Sequence, residues 1–260
     1  MSADPTRLPP PPTPTHDWAL FLDVDGTLLD LASSPDGVHV PAGLIDDLQR
    51  VHTALGGALA LVSGRRVETL ATLFEPLQLP AIGLHGLQRS NGGHEHAPPH
   101  QLPSVLAAAR DLARKYPGAL IEDKGITIAL HWRNAPAAEE PLHEFASSAL
   151  IDLPGYRLQS GRDVLELRPD GHDKGDAIAE LMGTEVFRER IPVFIGDDLT
   201  DEHGFDVVNA RHGLSVLVGT RTGSAATHGL HDPAATRAWL HAAASRLAAD
   251  TAAASSTDTL

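Results

Sequence analysis

The 260-residue chain contains no cysteine, which excludes disulfides, zinc–thiolate sites and cysteine nucleophiles. No apolar stretch approaches the roughly 18 residues of a membrane-spanning helix. Positive charge is scarce: 20 Lys and Arg stand against 34 Asp and Glu, a net charge of −14. That balance argues against nucleic acid or an anionic membrane surface as a partner, and an acidic chain handling an anionic substrate needs local positive charge or a cation. No internal repeat of fixed period is present. The N-terminal "MSADPTRLPPPPTPTHDW" lacks the apolar core of a signal peptide. Residues 1–16 are expected to be a disordered Pro-rich lead, residues 248–260 a disordered tail, and the protein cytoplasmic.

Between these ends the composition, 42% hydrophobic and 21% charged, is that of a globular protein, and the length allows an α/β core carrying a smaller inserted unit. "WALFLDVDG" (18–26) reads as a buried strand, followed by helical spacing over 41–56, a second buried strand "ALALVSG" (58–64), a helix at 65–75 and a third strand in "LPAIGLHG" (79–86). This β-α-β-α-β order predicts a parallel sheet with helices on its faces. The rhythm then changes. A turn-rich segment at 88–103, with a Gly-Gly that would close a small hairpin, leads to a helix at 104–115. Strand pairs at 118–133 and 156–169 bracket another helix at 137–150. Helix, hairpin, helix, hairpin predicts an α+β unit inserted into the core. The core resumes with a helix at 173–182, strands "IPVFIGDD" (191–198) and "GLSVLVG" (213–219), a helix from about 200 and a last one near 233–247.

Several core strands end in polar side chains: Asp23 and Asp25, Ser63, and Asp197 with Asp198. Ligands of parallel α/β sheets bind outside the carboxyl ends of the strands, so these groups would converge on one edge. Asp23 and Asp25 stand two apart and would project to one side of an extended segment. Either they cap the next element, or they form with Asp197 and Asp198 an oxygen-only cluster suited to a hard cation such as Mg²⁺. Ser63 is either an N-cap or part of a phosphate seat in "SGRR" (63–66). Lys174, at a helix start in "DGHDKGDA" (170–177), opposes the helix dipole, a conflict that a bound anion would resolve. His94 and His96 lie in a Pro/Gly-rich loop without a third partner, and no metal role is expected of them.

Together these stretches resemble the haloacid dehalogenase-type phosphatases: "DVDGT" (23–27), Ser63, Lys174 and "GDDLTDE" (196–202) match their four motifs in order. An insertion between the second and third motifs resembles the type with a C2 cap. Within that group "GLHG" (83–86), "EDKGITIALHWR" (122–133), "LELRPDGHDKG" (165–175) and "GDDLTDE" are most similar to trehalose-6-phosphate phosphatases. The resemblance implies an α/β fold, a Rossmann-like parallel-sheet core with an inserted α+β cap: core 17–100 and 168–247, cap 101–167. It also implies a Mg²⁺-dependent phosphoric monoester hydrolase acting on a small-molecule sugar phosphate as a monomer. Asp23 would be the nucleophile and Asp25 the general acid and base. Asp23, Asp25, Asp197 and Asp198 would serve the metal with the main-chain carbonyl of Val24. Thr27, Ser63 and Lys174 would hold the phosphoryl oxygens. His85, Glu122, Lys124, Arg133, Arg162 and Glu166 would contact the sugar. The rival expectations are sucrose-phosphate or mannosyl-glycerate-phosphate hydrolysis, and a catalytically idle regulatory domain. The presence of Asp23, Asp25, Lys174 and Asp197 argues against the last.

Overall fold

The computed structural model describes residues 8–32, 37–90, 92 and 98–257, with side chains to residue 251. His94, His96 and most of the expected Gly-Gly hairpin lie outside the described residues. In chain order the elements are β1 (Trp18–Leu22), α1 (Leu44–Ala54), β2 (Leu59–Val62), α2 (Val67–Leu73), β3 (Ala81–Gly83) and β4 (Gln88–Arg89). Then follow α3 (Leu102–Ala113), β5 (Leu120–Asp123), β6 (Ile128–His131), α4 (Glu139–Ala149), β7 (Tyr156–Gly161) and β8 (Val164–Pro169). The last are α5 (Lys174–Leu181), β9 (Ile191–Gly196), α6 (Glu202–Ala210), β10 (Leu214–Val218), β11 (His228–Leu230) and α7 (Pro233–Thr257). Two units result: Gly92–His172, the insert, and the segments before and after it, the core.

The core unit holds a seven-stranded sheet in the order β11-β10-β9-β1-β2-β3-β4, parallel except for the pairing of β3 with β4. Every residue of β1 and β2 is buried, which explains why these strands read as unbroken apolar runs rather than alternating ones. Residues Phe21, Leu22, Phe194 and Phe205 are among the fully buried side chains that bind the sheet to its helices. The chain leaves β1 in one direction along the sheet for β2 and β3, and returns on the other side for β9 and β10. The order thus reverses at β1, which opens a crevice at the carboxyl ends of β9, β1 and β2.

The insert is a four-stranded antiparallel sheet, β5-β6-β8-β7. Leu102, Val105, Leu106 and Ala109 of α3 and Leu142, Ala146 and Ala149 of α4 pack on Ile128, Leu130, Leu165 and Leu167. The α/β class with an α+β insert is therefore as the sequence predicts.

Three local expectations differ from the structure. The lead is not loose from Leu8 onward: Gly229 N–H donates to Pro9 O (2.9 Å), Trp239 Nε1–H donates to Pro12 O (3.3 Å), and Pro11 and Pro14 are buried. Leu8, Pro11 and Pro14 are spaced by three, the repeat of a polyproline conformation, so one side of the lead packs on the core. The C-terminal helix continues to Thr257 instead of ending near 247. Its Ala-rich end has high helix propensity and extends a helix already nucleated. Finally, β4 and β11 are short strands that the sequence does not announce.

Candidate active site

The ladder of β1 carries on into Asp23, whose N–H donates to Ile195 O at 2.9 Å. The chain then turns tightly. Val24 O accepts from Leu28 N–H and Leu29 N–H, both at 2.9 Å. This carbonyl, expected among the metal donors, is thus engaged in the turn. Gly26 stands at φ +83, and a Cβ there would lie 2.2 Å from Asp197 Oδ2. Only glycine satisfies both the left-handed backbone and that close approach. Thr27 is fully buried, and among the described residues its hydroxyl has no hydrogen-bond partner. A buried hydroxyl in this condition is costly and calls for an acceptor or donor from outside the chain.

Lys174 is the first residue of α5 and is buried. Its Nζ lies 2.7 Å from Asp23 Oδ1 and 2.6 Å from Asp201 Oδ1. Those carboxylates answer the conflict with the helix dipole that the sequence raises. The helix start is fixed independently: Asp173 Oδ1 accepts from Asp176 N–H (3.0 Å), and Asp176 Oδ2 accepts from Asp173 N–H (3.2 Å). Asp201 is fully buried, and its Oδ2 accepts the N–H groups of Asp197 and Asp198, each at 2.9 Å. One carboxylate therefore ties the turn after β9 to the lysine on α5.

Oxygens of Asp23, Asp197 and Asp201 all lie within 4.8 Å of one another. Burial pushes the Asp23 carboxyl up to about 7 against the pull of Lys174, with repulsion from Asp201 and Asp25 adding to it. Burial, then the Asp23 and Asp201 carboxylates, push Asp197 up to about 9. For Lys174 burial acts to lower the pKa, but Asp201 and Asp23 override it and hold the ammonium well above its ordinary range. Two buried carboxylates and the half-buried Asp197 share one ammonium. An all-oxygen donor set of this kind fits a hard divalent cation.

The other expected members are placed differently. Asp198 Oδ1 accepts from Leu199 N–H (2.8 Å) and caps the following turn, and it stands outside the three-carboxylate group. Asp25 also stands outside it, gripped by Arg65 through Nε–Oδ2 and Nη2–Oδ1 contacts of 2.7 Å each. Ser63 is buried at the end of β2, where its Oγ accepts from Arg65 N–H at 3.1 Å. His85 N–H donates to Ser63 O and Leu84 N–H to Arg65 O, both at 2.9 Å. Leu84 and His85 have φ of 51 and 54, an uncommon conformation for residues with side chains. It brings the His85 ring so close to Gly64 that a Cβ there would meet Nε2 at 2.4 Å. Arg65 and Asp201 are the site residues that sequence reasoning did not single out. Both are visible in the quoted "SGRR" and "GDDLTDE" stretches, but their partners are not.

In the insert, Glu122, Ala129, Glu166 and Gln159 are opposite one another on neighbouring strands, so their side chains share the sheet face away from the apolar cluster. Glu166 is buried, accepts from Thr127 Oγ1 at 2.6 Å and lies 3.6 Å from Lys124 Nζ. Glu122 Oε2 lies 3.0 Å from His131 Nε2. Burial acts to raise the Glu122 pKa, but the His131 hydrogen bond and the Lys124 and His131 charges hold it below the usual carboxylate range. Arg133 turns to Asp163 Oδ2 (3.3 Å), and Arg162 is exposed in the β7–β8 turn. Arg168, fully buried and donating to Gln159 Oε1 (2.7 Å) and to His172 O, is a polar residue of this unit that the sequence reading passed over.

A parallel sheet whose reversal point gathers Asp23, Ser63, Lys174 and Asp197 defines a haloacid dehalogenase-type hydrolase. Solved structures agree on the fold. A Candida albicans trehalose-6-phosphate phosphatase C-terminal domain superposes with TM-score 0.76 at 20% identity, covering 93% of this chain and 99% of that one. A haloacid dehalogenase-like hydrolase from Bacteroides thetaiotaomicron gives 0.63 at 16%, covering 90% and 100%.

Sequence comparison narrows the class. The family model described as trehalose-phosphatase matches residues 21–234. A trehalose-6-phosphate phosphatase of Escherichia coli K12 is 43% identical over 211 residues, 78% of each chain, and a probable trehalose-phosphate phosphatase of Sinorhizobium fredii is 43% identical over 214, 80% of each. The chain belongs to the trehalose-phosphatase family, and it is an enzyme of the phosphoric monoester hydrolase class. Among the described residues no helix is long and apolar enough to cross a membrane.

Proposed function

We propose that this enzyme hydrolyses trehalose 6-phosphate to trehalose and phosphate through an aspartyl-phosphate. The observation that carries the reading is the buried Asp23 carboxylate, held 2.7 Å from Lys174 Nζ beside Asp197. An Asp23 oxygen attacks phosphorus. The bond from phosphorus to the sugar oxygen breaks, its electron pair stays on that oxygen, and Asp25 supplies the proton. Water then attacks the phosphorus of the intermediate, Asp25 takes the water's proton, and the bond to Asp23 breaks to restore the carboxylate. Thr27, Ser63 and Lys174 bind the phosphoryl oxygens; Thr27 contributes a buried hydroxyl with no partner among the described residues.

The metal is proposed to be Mg²⁺, held by Asp23 and Asp197, with Asp201 and Asp198 supporting from the same turn. When bound, it supplies positive charge to the oxygens of the transferring group. The polar face of the insert, with Glu122, Lys124 and Glu166 on it and His85, Arg133 and Arg162 as further contacts, is proposed to recognise the sugar hydroxyls. Its charged groups suit charge-assisted hydrogen bonds. The working form is taken to be a cytoplasmic monomer.

The test is phosphate release from a panel of trehalose 6-phosphate, sucrose 6-phosphate and mannosyl-glycerate phosphate, with Mg²⁺ and with EDTA, for the wild type and Asp23→Asn. Release from trehalose 6-phosphate that needs both Mg²⁺ and Asp23 is expected. Preference for another sugar phosphate would overturn the substrate, and full activity of Asp23→Asn would overturn the chemistry.

A further inference from the structure

Arg65 sits two residues past Ser63, and Asp25 two past Asp23, yet they meet side-on in a two-pronged fork. The distances are 2.7 Å from Nε to Oδ2 and 2.7 Å from Nη2 to Oδ1. The Arg65 side chain is 12% exposed and that of Asp25 31%. The turn after β2 does not need this pair, because its backbone is already held by Arg65 N–H to Ser63 Oγ and by Leu84 N–H to Arg65 O. Lys174, which is buried, has contacts on Asp23 and Asp201. The three-carboxylate group also leaves Asp25 out. Asp23, Asp197 and Asp201 are thus grouped with Lys174, and Asp25 with Arg65.

We infer that Arg65 is the positioning residue of Asp25. By gripping both carboxylate oxygens it keeps Asp25 out of the metal-holding set, where the group would be tied up as a ligand. It aims Asp25 for proton exchange with the departing sugar oxygen and then with water. Each gripped oxygen keeps a further lone pair, so the fork does not exhaust its capacity to bind or carry a proton. The alternative role for Arg65 is direct contact with the phosphoryl group. This inference rests on the proposed role of Asp25 as the proton-exchanging group.

The two roles separate in a double-mutant cycle on the holoenzyme with saturating Mg²⁺, using Arg65→Ala, Asp25→Asn and the pair. A residue acting only through Asp25 loses its effect once Asp25 is replaced. Arg65→Ala alone is expected to lower kcat on trehalose 6-phosphate by about 10²-fold, within the range of general acid–base catalysis, with little change in KM. In the Asp25→Asn background it is expected to cost less than about 3-fold, the limit of near-complete coupling. Single-turnover release of 4-nitrophenolate from 4-nitrophenyl phosphate, a leaving group that needs no proton, is expected to stay within about 5-fold of wild type in Arg65→Ala. Arg65→Lys covers the case in which Arg65→Ala fails to fold. It keeps the charge but not the fork, and is expected to be as impaired on the sugar phosphate. Multiplying losses, a KM rise at constant kcat, equal loss on the aryl ester, or full rescue by lysine would each overturn the inference. If another sugar phosphate proves to be the substrate, the cycle is run on that ester, since only its alkoxide leaving group matters. An absence of any Mg²⁺-dependent ester hydrolysis in the wild type would instead defeat the functional reading itself.

Discussion

Lys174 Nζ lies 2.6 Å from Asp201 Oδ1, joining the first turn of α5 to the turn that follows β9. Both groups are buried, and Asp201 also accepts two backbone N–H groups with its other oxygen. Removing Asp201 takes one of two carboxylates from Lys174 and the acceptor from two backbone N–H groups, and breaking a buried pair costs about 3–5 kcal/mol. Asp201→Ala is therefore expected to lose about that much stability in urea unfolding. Asp201→Asn cannot serve the ammonium and both N–H groups together, so it is expected to lose more than about 1 kcal/mol, the minimum for an unsatisfied buried group. A smaller loss in both variants would show that the pair does not brace the site.

Thr27 offers a trade of stability against function. Its buried hydroxyl lacks a partner among the described residues, and such a group costs about 1–3 kcal/mol. Thr27→Val keeps the shape and removes the cost, so Tm is expected to rise by about 2–4 °C per kcal/mol relieved. The same change would remove the proposed hydrogen bond to a charged phosphoryl oxygen, worth about 10-fold or more in kcat/KM. Calorimetry and phosphate release on one preparation check both halves. Unchanged kcat/KM would remove Thr27 from the phosphate seat.

Glu202 supplies a pH-dependent element outside the catalytic cluster. Burial acts to raise its pKa, but Ala225 N–H (2.8 Å), Arg221 and Ser224 Oγ (2.8 Å) together hold it below 4.5. A carboxyl depressed in the folded state contributes stability that is complete above its unfolded pKa and fades as the pH falls through the folded one. The Tm gap between wild type and Glu202→Gln is expected to be largest at neutral pH and to close on acidification below about 4.5. A gap that widens in acid would contradict the sign.

The proposed cation site among Asp23, Asp197 and Asp201 has a readout that does not depend on turnover. A ligand that binds only the folded state stabilises it by RT ln(1 + [L]/Kd), about 2.7 kcal/mol at one hundred times Kd. Mg²⁺ is expected to raise Tm in a saturable way that EDTA reverses, and Asp197→Asn is expected to abolish the shift. An identical shift in that variant would place the ion elsewhere.

The core strands and the main chemical groups were legible along the chain because both are local. Unbroken apolar runs such as "WALFL" and "LALV" are what a strand buried on both faces requires. Asp23, Ser63 and Asp197 sit where those strands end, and Lys174 where a helix begins. Composition misled at the termini, where a Pro-rich lead and an Ala-rich end were expected to be loose. Leu8 packs on the core and the helix runs on to Thr257. The half-buried His228–Leu230 is a strand chiefly because β10 offers it an edge.

Partnership was decided elsewhere. Asp25 is 40 residues from Arg65, and Lys174 is 27 from Asp201 and 151 from Asp23. Nothing in the spacing says which cation takes which carboxylate. That choice follows from the order of β9, β1 and β2 in the sheet, which brings three strand ends and one helix start to the same crevice. Residue types and element boundaries follow from short-range propensity and burial pattern. The pairing of charges follows from long-range strand order, because in a low-dielectric interior the nearest opposite charge prevails, and nearness exists only once the sheet is assembled.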